Sequence, residues 1–107
     1  MRGRKSISDT VDMMVVALCA DYARRSLAIS ERSVSHRTEM EYRYLNFKLL
    51  SAAEEIVGGR WAGVFISEIG NRIGYAYTEL ADISETSYKI KKKEVKENIA
   101  KRLHLID

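Results

Sequence analysis

No proline occurs anywhere in the 107 residues. Because proline is the residue that most strongly breaks helices, long helices can form here without interruption. The dipeptides that mark tight turns between short strands are also nearly absent, and Gly58-Gly59 is the clearest break in the chain. Glycine adopts the left-handed conformation that ends many helices without strain. The sequence therefore predicts a single all-α domain that is divided at this glycine pair.

The apolar periodicity predicts four main helices. The first is expected from about Asp9 to Ile29, capped by Ser8 or Thr10. The second follows a cap at Ser33 or Ser35 and ends near position 57. The remaining expected elements are helices at 62–73 and 84–104, with a short helix near 77–81. Residues 8–58 are thus expected to form an N-terminal helical hairpin, and residues 61–107 a helix-turn-helix-like half that ends in a long basic helix.

The first helix is apolar on two sides. One stripe consists of Val11, Met14, Val15, Leu18, Tyr22 and Ile29, and the second of Met13, Val16, Ala17 and Ala20. A helix that is apolar all round is buried on both sides. The second stripe is therefore either part of a central core helix or a self-association surface. The latter interpretation predicts a homodimer.

The net charge of the chain is concentrated at its C-terminal end. Residues 84–107 hold seven of the eighteen Lys and Arg against four acidic residues, so the formal charge of +3 resides there. Tyr88, Val95, Ile99 and Leu103 form an apolar face, and most of the lysines lie on the other side of the same helix. Such a basic stripe is typical of a site for an anionic partner. The alternative is a solvated face, supported by Glu–Lys pairs four residues apart.

Two overlapping windows in the C-terminal half resemble a helix-turn-helix. In the first, Gly70 is the small residue where two helices cross, Gly74 lies in the turn, and a recognition helix begins near position 75. In the second, Ile83-Ser84 forms the turn and cap, and the basic helix is the recognition helix. The residues alone leave both registers open.

The stretch ISETSYKIKKKEVKENIAKRL is similar to the C-terminal element of small phage and mobile-element regulators of the ArpU and RinA type, and of sigma-factor region-4 domains. Those proteins often carry a Ser-x-x-Thr-Tyr-x-x-Lys-like cap and recognition helix. The matching residues are Ser84, Ser87, Tyr88 and Lys91, with serine in place of the threonine. The resemblance covers roughly the last 25–40 residues of the chain. It implies binding of double-stranded DNA in transcription control.

The candidate DNA contacts all lie on the basic helix. Lysines are expected near phosphates, and Thr86 and Ser87 near base edges. The complete set is Ser84, Thr86, Ser87, Lys89, Lys91, Lys93 and Lys96. The alternative function is that of a helical interaction or dimerisation protein.

Catalytic and metal-binding patterns are not found in the sequence. His36, His104 and Cys19 do not have metal-ligand spacing, and no pair of carboxylates is placed for acid–base chemistry. We therefore expect no enzyme activity, metal, cofactor or small-molecule substrate. A single cysteine suits a reducing compartment, and its apolar neighbours favour a buried thiol over a reactive one. The apolar run 13–20 is too short to span a bilayer, so a cytoplasmic protein is expected, with a loose basic arm at 1–7.

Overall fold

The computed structural model describes residues 7–107. Every regular element in that range is helical, which confirms the all-α fold class. In chain order, the elements are α1 (Asp9–Ala20), α2 (Tyr22–Glu31), α3 (His36–Val57), α4 (Gly59–Gly70), a 3-10 turn (Tyr75–Tyr77) and α5 (Glu85–Arg102). Apart from Ile7, the basic arm expected at 1–7 lies outside the described residues.

Serine caps begin three of the helices. The hydroxyls of Ser8, Ser35 and Ser84 each accept the backbone N–H three positions further on, at 3.1–3.2 Å. Each bond satisfies a donor that the first turn of a helix leaves unpaired. The structure thus decides for Ser8 over Thr10 and for Ser35 over Ser33.

The expected single helix over 9–29 is wrong, because the chain bends at Asp21. The Arg25 guanidinium donates to the Leu18 carbonyl at 2.7 Å and to the Asp21 carboxylate at 3.2 Å. It also donates to Asn46 of α3 at 2.7 Å, and its side chain is buried. A side chain that inserts at the helix hydrogen-bond ladder is a known cause of kinks. The bend lets α1 pack on α4 and α5, while α2 pairs with α3.

The core lies where α1, α3, α4 and α5 meet. The large side chains with almost no exposed surface are Tyr88, Phe65, Leu49, Ile66, Ile69, Ile99, Val15 and Val95. Three residues of the predicted apolar face of α5 are among them, which confirms that face of the helix. The aromatic rings of Phe65 and Tyr88 lie 5.6 Å apart, centre to centre.

The break between the two halves of the chain occurs at the predicted glycine pair. Gly58 has a φ of +82° and ends α3, and α4 begins at the next residue instead of near position 62. The helix α4 also ends earlier than expected, at Gly70 instead of near position 73. A Cβ atom at position 70 would lie 2.5 Å from the backbone nitrogen of Ala20. Gly70 is therefore a helix-crossing residue, and the helix that it meets is α1.

The connection between α4 and α5 differs from both helix-turn-helix windows. Each window requires an α-helix between Gly74 and Asp82, yet that segment forms only the three-residue 3-10 turn. A helix-turn-helix joins its two helices by a turn of three or four residues. Here residues 71–84 separate α4 from α5. What remains of the expectation is the long basic helix with its cap at Ser84.

Candidate nucleic-acid interface

A groove of about 360 Å³ lies between the N-terminal end of α1 and the middle of α5. Its lining consists of Ile7, Asp9, Asp12, Lys89, Lys92, Lys93 and Lys96. Positions three and four apart project from the same side of a helix, which is why the four lysines meet. Four ammonium groups face two carboxylates, so the groove carries an excess of positive charge.

The four lysines differ in how firmly they are held. Lys96 forms an ion pair with Asp12 of α1 at 2.8 Å, and its side chain is only 23% exposed. Lys89 pairs with Glu85 on its own helix at 2.7 Å, but both side chains are well exposed. Exposed pairs of this kind contribute little to stability and exchange partners at low cost. Within residues 7–107, Lys93 forms no ion pair and is exposed, so its charge is available to a ligand.

Lys92 lies at the inner edge of the groove. Its ammonium group donates to the Ile73 carbonyl and lies 5.4 Å from the centre of the Tyr88 ring. Burial lowers the pKa of Lys92, and the nearby charge of Lys96 lowers it further. The helical period places position 92 on the apolar arc, so the expected contact set omits it. The sequence signal that places Lys92 with the other groove lysines is its spacing, three residues from Lys89 and four from Lys96.

The structure brings together three of the four lysines in the predicted contact set. Lys89, Lys93 and Lys96 share the groove, whereas Lys91 projects about 160° around the helix from Lys93. Lys91 lies 3.8 Å from the carboxylate of Glu94. The predicted phosphate contacts therefore do not form one surface.

The polar residues at the start of α5 are also divided. Thr86 is exposed and projects about 20° from Lys93 around the helix, on the groove side. Ser87 is exposed but projects about 120° from Lys93. The Ser84 hydroxyl is engaged as the helix cap. Of these three, Thr86 is the side chain that shares a surface with the lysines.

The predicted self-association stripe on α1 is only partly at the surface. Val16 is buried in the core, so its assignment to that surface is wrong. Periodicity alone could not separate it from its neighbours, because the stripe borders the core-facing side. Met13, Ala17 and Ala20 are exposed, and a role for them in self-association stays a prediction.

The buried carboxylate of Glu68 on α4 links the segment between α4 and α5 to Tyr88 of α5. Glu68 is 4% exposed and accepts hydrogen bonds from the Thr78 and Tyr88 hydroxyls, at 2.6 and 2.8 Å, and from the Glu79 N–H at 2.9 Å. Burial alone raises the pKa of Glu68, but these three donors outweigh burial and hold its pKa below the ordinary value. The carboxylate therefore remains ionised and fixes the connection in place.

The other reactive groups are not arranged for chemistry. Burial raises the pKa of the Cys19 thiol to about 12, so the buried-thiol interpretation is the one that the structure supports. No group of three or more His, Cys, Asp or Glu side chains within residues 7–107 is placed to hold a metal ion. Among the helices described, none combines the length and apolarity needed to cross a bilayer.

Comparison with protein-family models, with curated proteins and with solved structures finds no match to this chain. The resemblance to phage and mobile-element regulators therefore stays a prediction based on Ser84, Ser87, Tyr88 and Lys91. Of these, Ser84 is the helix cap and Tyr88 is a core residue, so both have structural roles that explain their presence without DNA.

Proposed function

We propose that the protein is a non-enzymatic DNA-binding protein that contacts the phosphates of duplex DNA through the lysine groove of α5. The observation that carries the proposal is the convergence of four lysines on one groove, with Lys93 exposed and without an ion-pair partner in the described part of the chain. Lysines that neutralise phosphates release condensed counterions, and this release drives binding.

The proposal assigns different roles to the residues of the groove. Lys89 and Lys93 project furthest outward and contact phosphates. Lys96 adds charge while it holds α5 against α1 through Asp12. Thr86 lies beside Lys93 at the start of the helix, which is where helices in the major groove contact base edges. A role as a transcriptional regulator of a phage or mobile element is part of the proposal, and it is based only on the resemblance of residues 83–103.

The experiment that tests the groove compares Lys93→Ala with Lys91→Ala. Both lysines are on α5, but they project to nearly opposite sides of it. For Lys93→Ala we expect weaker binding to all duplexes and a salt slope of smaller magnitude, by about 1, because one phosphate contact is lost. For Lys91→Ala we expect no change. Fluorescence anisotropy with duplex DNA across a salt series measures both quantities.

Two outcomes would count against the groove. Equal behaviour of the two variants would mean that the lysines only solvate the helix. Loss of binding in Lys91→Ala alone would place the interface on the other side of α5. In the first case the alternative function, a helical protein–protein interaction, would be favoured, because α3 exposes large apolar side chains.

A further inference from the structure

The outer side of α3 exposes large apolar side chains to solvent. Met40, Tyr44 and Phe47 are 54%, 55% and 66% exposed, although α3 is the central helix of the fold. They recur at intervals of four and three residues, and Ser51 continues the same line. This is the spacing of a helix–helix seam. We call the surface formed by Met40, Tyr44, Phe47 and Ser51 the α3 seam.

We propose that the α3 seam binds the same seam of a second copy of this chain, with the two helices antiparallel. A twofold axis midway between positions 44 and 47 places Tyr44 opposite Phe47 of the second copy, twice by symmetry. It also places Met40 opposite Ser51. The two aromatic pairs form the centre of the contact, and a small residue faces each long thioether side chain, as well-packed helix pairs require.

The charges beside the α3 seam are complementary in this arrangement. Arg37 and Glu54 lie at equal distances from the proposed axis, at the two ends of the seam, so each faces the other across the pair. Glu41 and Lys48 lie on the same flank of the seam. The axis places Glu41 of one copy beside Lys48 of the second copy, with an offset of about 3 Å along the helix. A parallel pair would instead place Arg37 beside Arg37 and Glu54 beside Glu54 of the second copy, which is repulsive.

In the described part of the monomer, these four charged residues also lack ion-pair partners. Within residues 7–107, Arg37, Glu41, Lys48 and Glu54 form no ion pair, and the Lys48 ammonium group lies 5.4 Å from the centre of the Tyr44 ring. Their neighbours on α3 do pair. Arg43 donates to Glu39 at 2.9 Å, and Glu55 pairs with Arg102. The unpaired charges are thus those that the second copy would satisfy. The contact would extend about 25 Å from position 37 to position 54.

Charge reversal tests both the surface and the direction of the pair. In Glu41→Lys, each lysine at 41 faces Lys48 of the second copy, and in Lys48→Glu two glutamates face each other. For each variant alone we expect the self-association constant to fall about three- to tenfold, because two repulsive contacts replace two attractive ones. The double variant, Glu41→Lys with Lys48→Glu, restores both contacts and should associate like the wild type.

A mixture of the two single variants gives a second, independent result. One Glu41→Lys chain and one Lys48→Glu chain satisfy both pairs between them, so the heterodimer should be stronger than either homodimer. The full chain is used throughout, and sedimentation equilibrium from micromolar to near-millimolar protein measures each constant. The control is Lys101→Glu, which reverses an exposed lysine on α5 and should leave association unchanged. Circular dichroism verifies that every variant is folded.

The proposal is overturned if the wild type is monomeric over the whole concentration range. It is also overturned if the wild type associates but neither the double variant nor the mixture does, since the antiparallel register is then wrong. Loss of association in Met13→Glu, with no effect of the α3 charge reversals, would instead assign the interface to the outer face of α1. None of these outcomes depends on DNA binding, so they do not decide the proposed function.

Discussion

Replacement of Gly70 by alanine should lower the free energy of unfolding by about 1–3 kcal/mol, the usual cost of overpacking a closely packed site. A Cβ atom there would lie 2.5 Å from the backbone nitrogen of Ala20 and 2.6 Å from its Cα atom. Backbone atoms of α1 cannot turn away as a side chain could, so α1 and α4 must separate. Urea unfolding followed by circular dichroism measures the effect.

The matched control is Gly63→Ala on the same helix. Apart from the adjoining residues and backbone of α4, no atom lies within 4 Å of a Cβ at position 63, so the substitution should stabilise the protein by about 0.5–1 kcal/mol through helix propensity. Opposite signs for the two glycines would support the crossing of α1 and α4. Similar effects at both positions would contradict the close approach at Gly70.

Replacement of Glu68 by leucine should cost about 3 kcal/mol of unfolding free energy, because leucine fills a similar volume but accepts no hydrogen bond. The N–H of Glu79 and the Thr78 hydroxyl would lose their acceptor in a partly buried site, and hydrogen bonds to charged groups are the strong ones. Glu68→Gln keeps one acceptor oxygen and should cost about 1 kcal/mol. The exposed control Glu94→Leu should change stability by less than about 0.5 kcal/mol.

The contribution of Glu68 to the free energy of unfolding should depend on pH. Its pKa is held below the ordinary value in the folded protein, so ionised Glu68 contributes stability above the pKa of the unfolded chain. That contribution is lost as the pH falls through the folded pKa, so the difference between wild type and Glu68→Gln should shrink below about pH 4. A wild type and a Glu68→Leu variant of equal stability at neutral pH would show that the network does not hold the connection.

The features that the sequence predicts correctly depend on local rules. Ser35 and Ser84 cap helices because their hydroxyls reach a nearby N–H, and Gly58 ends α3 because it tolerates a positive φ. The face of α5 that contains Tyr88 and Val95 follows from the helical period. Each of these features is decided by residues within one or two turns of the chain.

The features that the sequence does not predict depend on contacts between distant segments. At the bend at Asp21, the Arg25 guanidinium donates a hydrogen bond to Asn46, which lies twenty-one residues further along the chain. In the sequence, Glu68 looks like an ordinary exposed polar residue, because the segment that buries it follows about ten residues later. Lys92 falls on the apolar arc by periodicity, but its long side chain carries the ammonium group past the core to the groove.

The most direct test of the proposed function is the salt dependence of wild-type binding to duplex DNA. If two to four of the groove lysines neutralise phosphates, the slope of log K against log salt should lie between about −2 and −4. Fluorescence anisotropy with a labelled duplex at several salt concentrations gives this slope. A slope in that range is the result that the proposal expects. No binding at low salt, or a slope near zero, would contradict it.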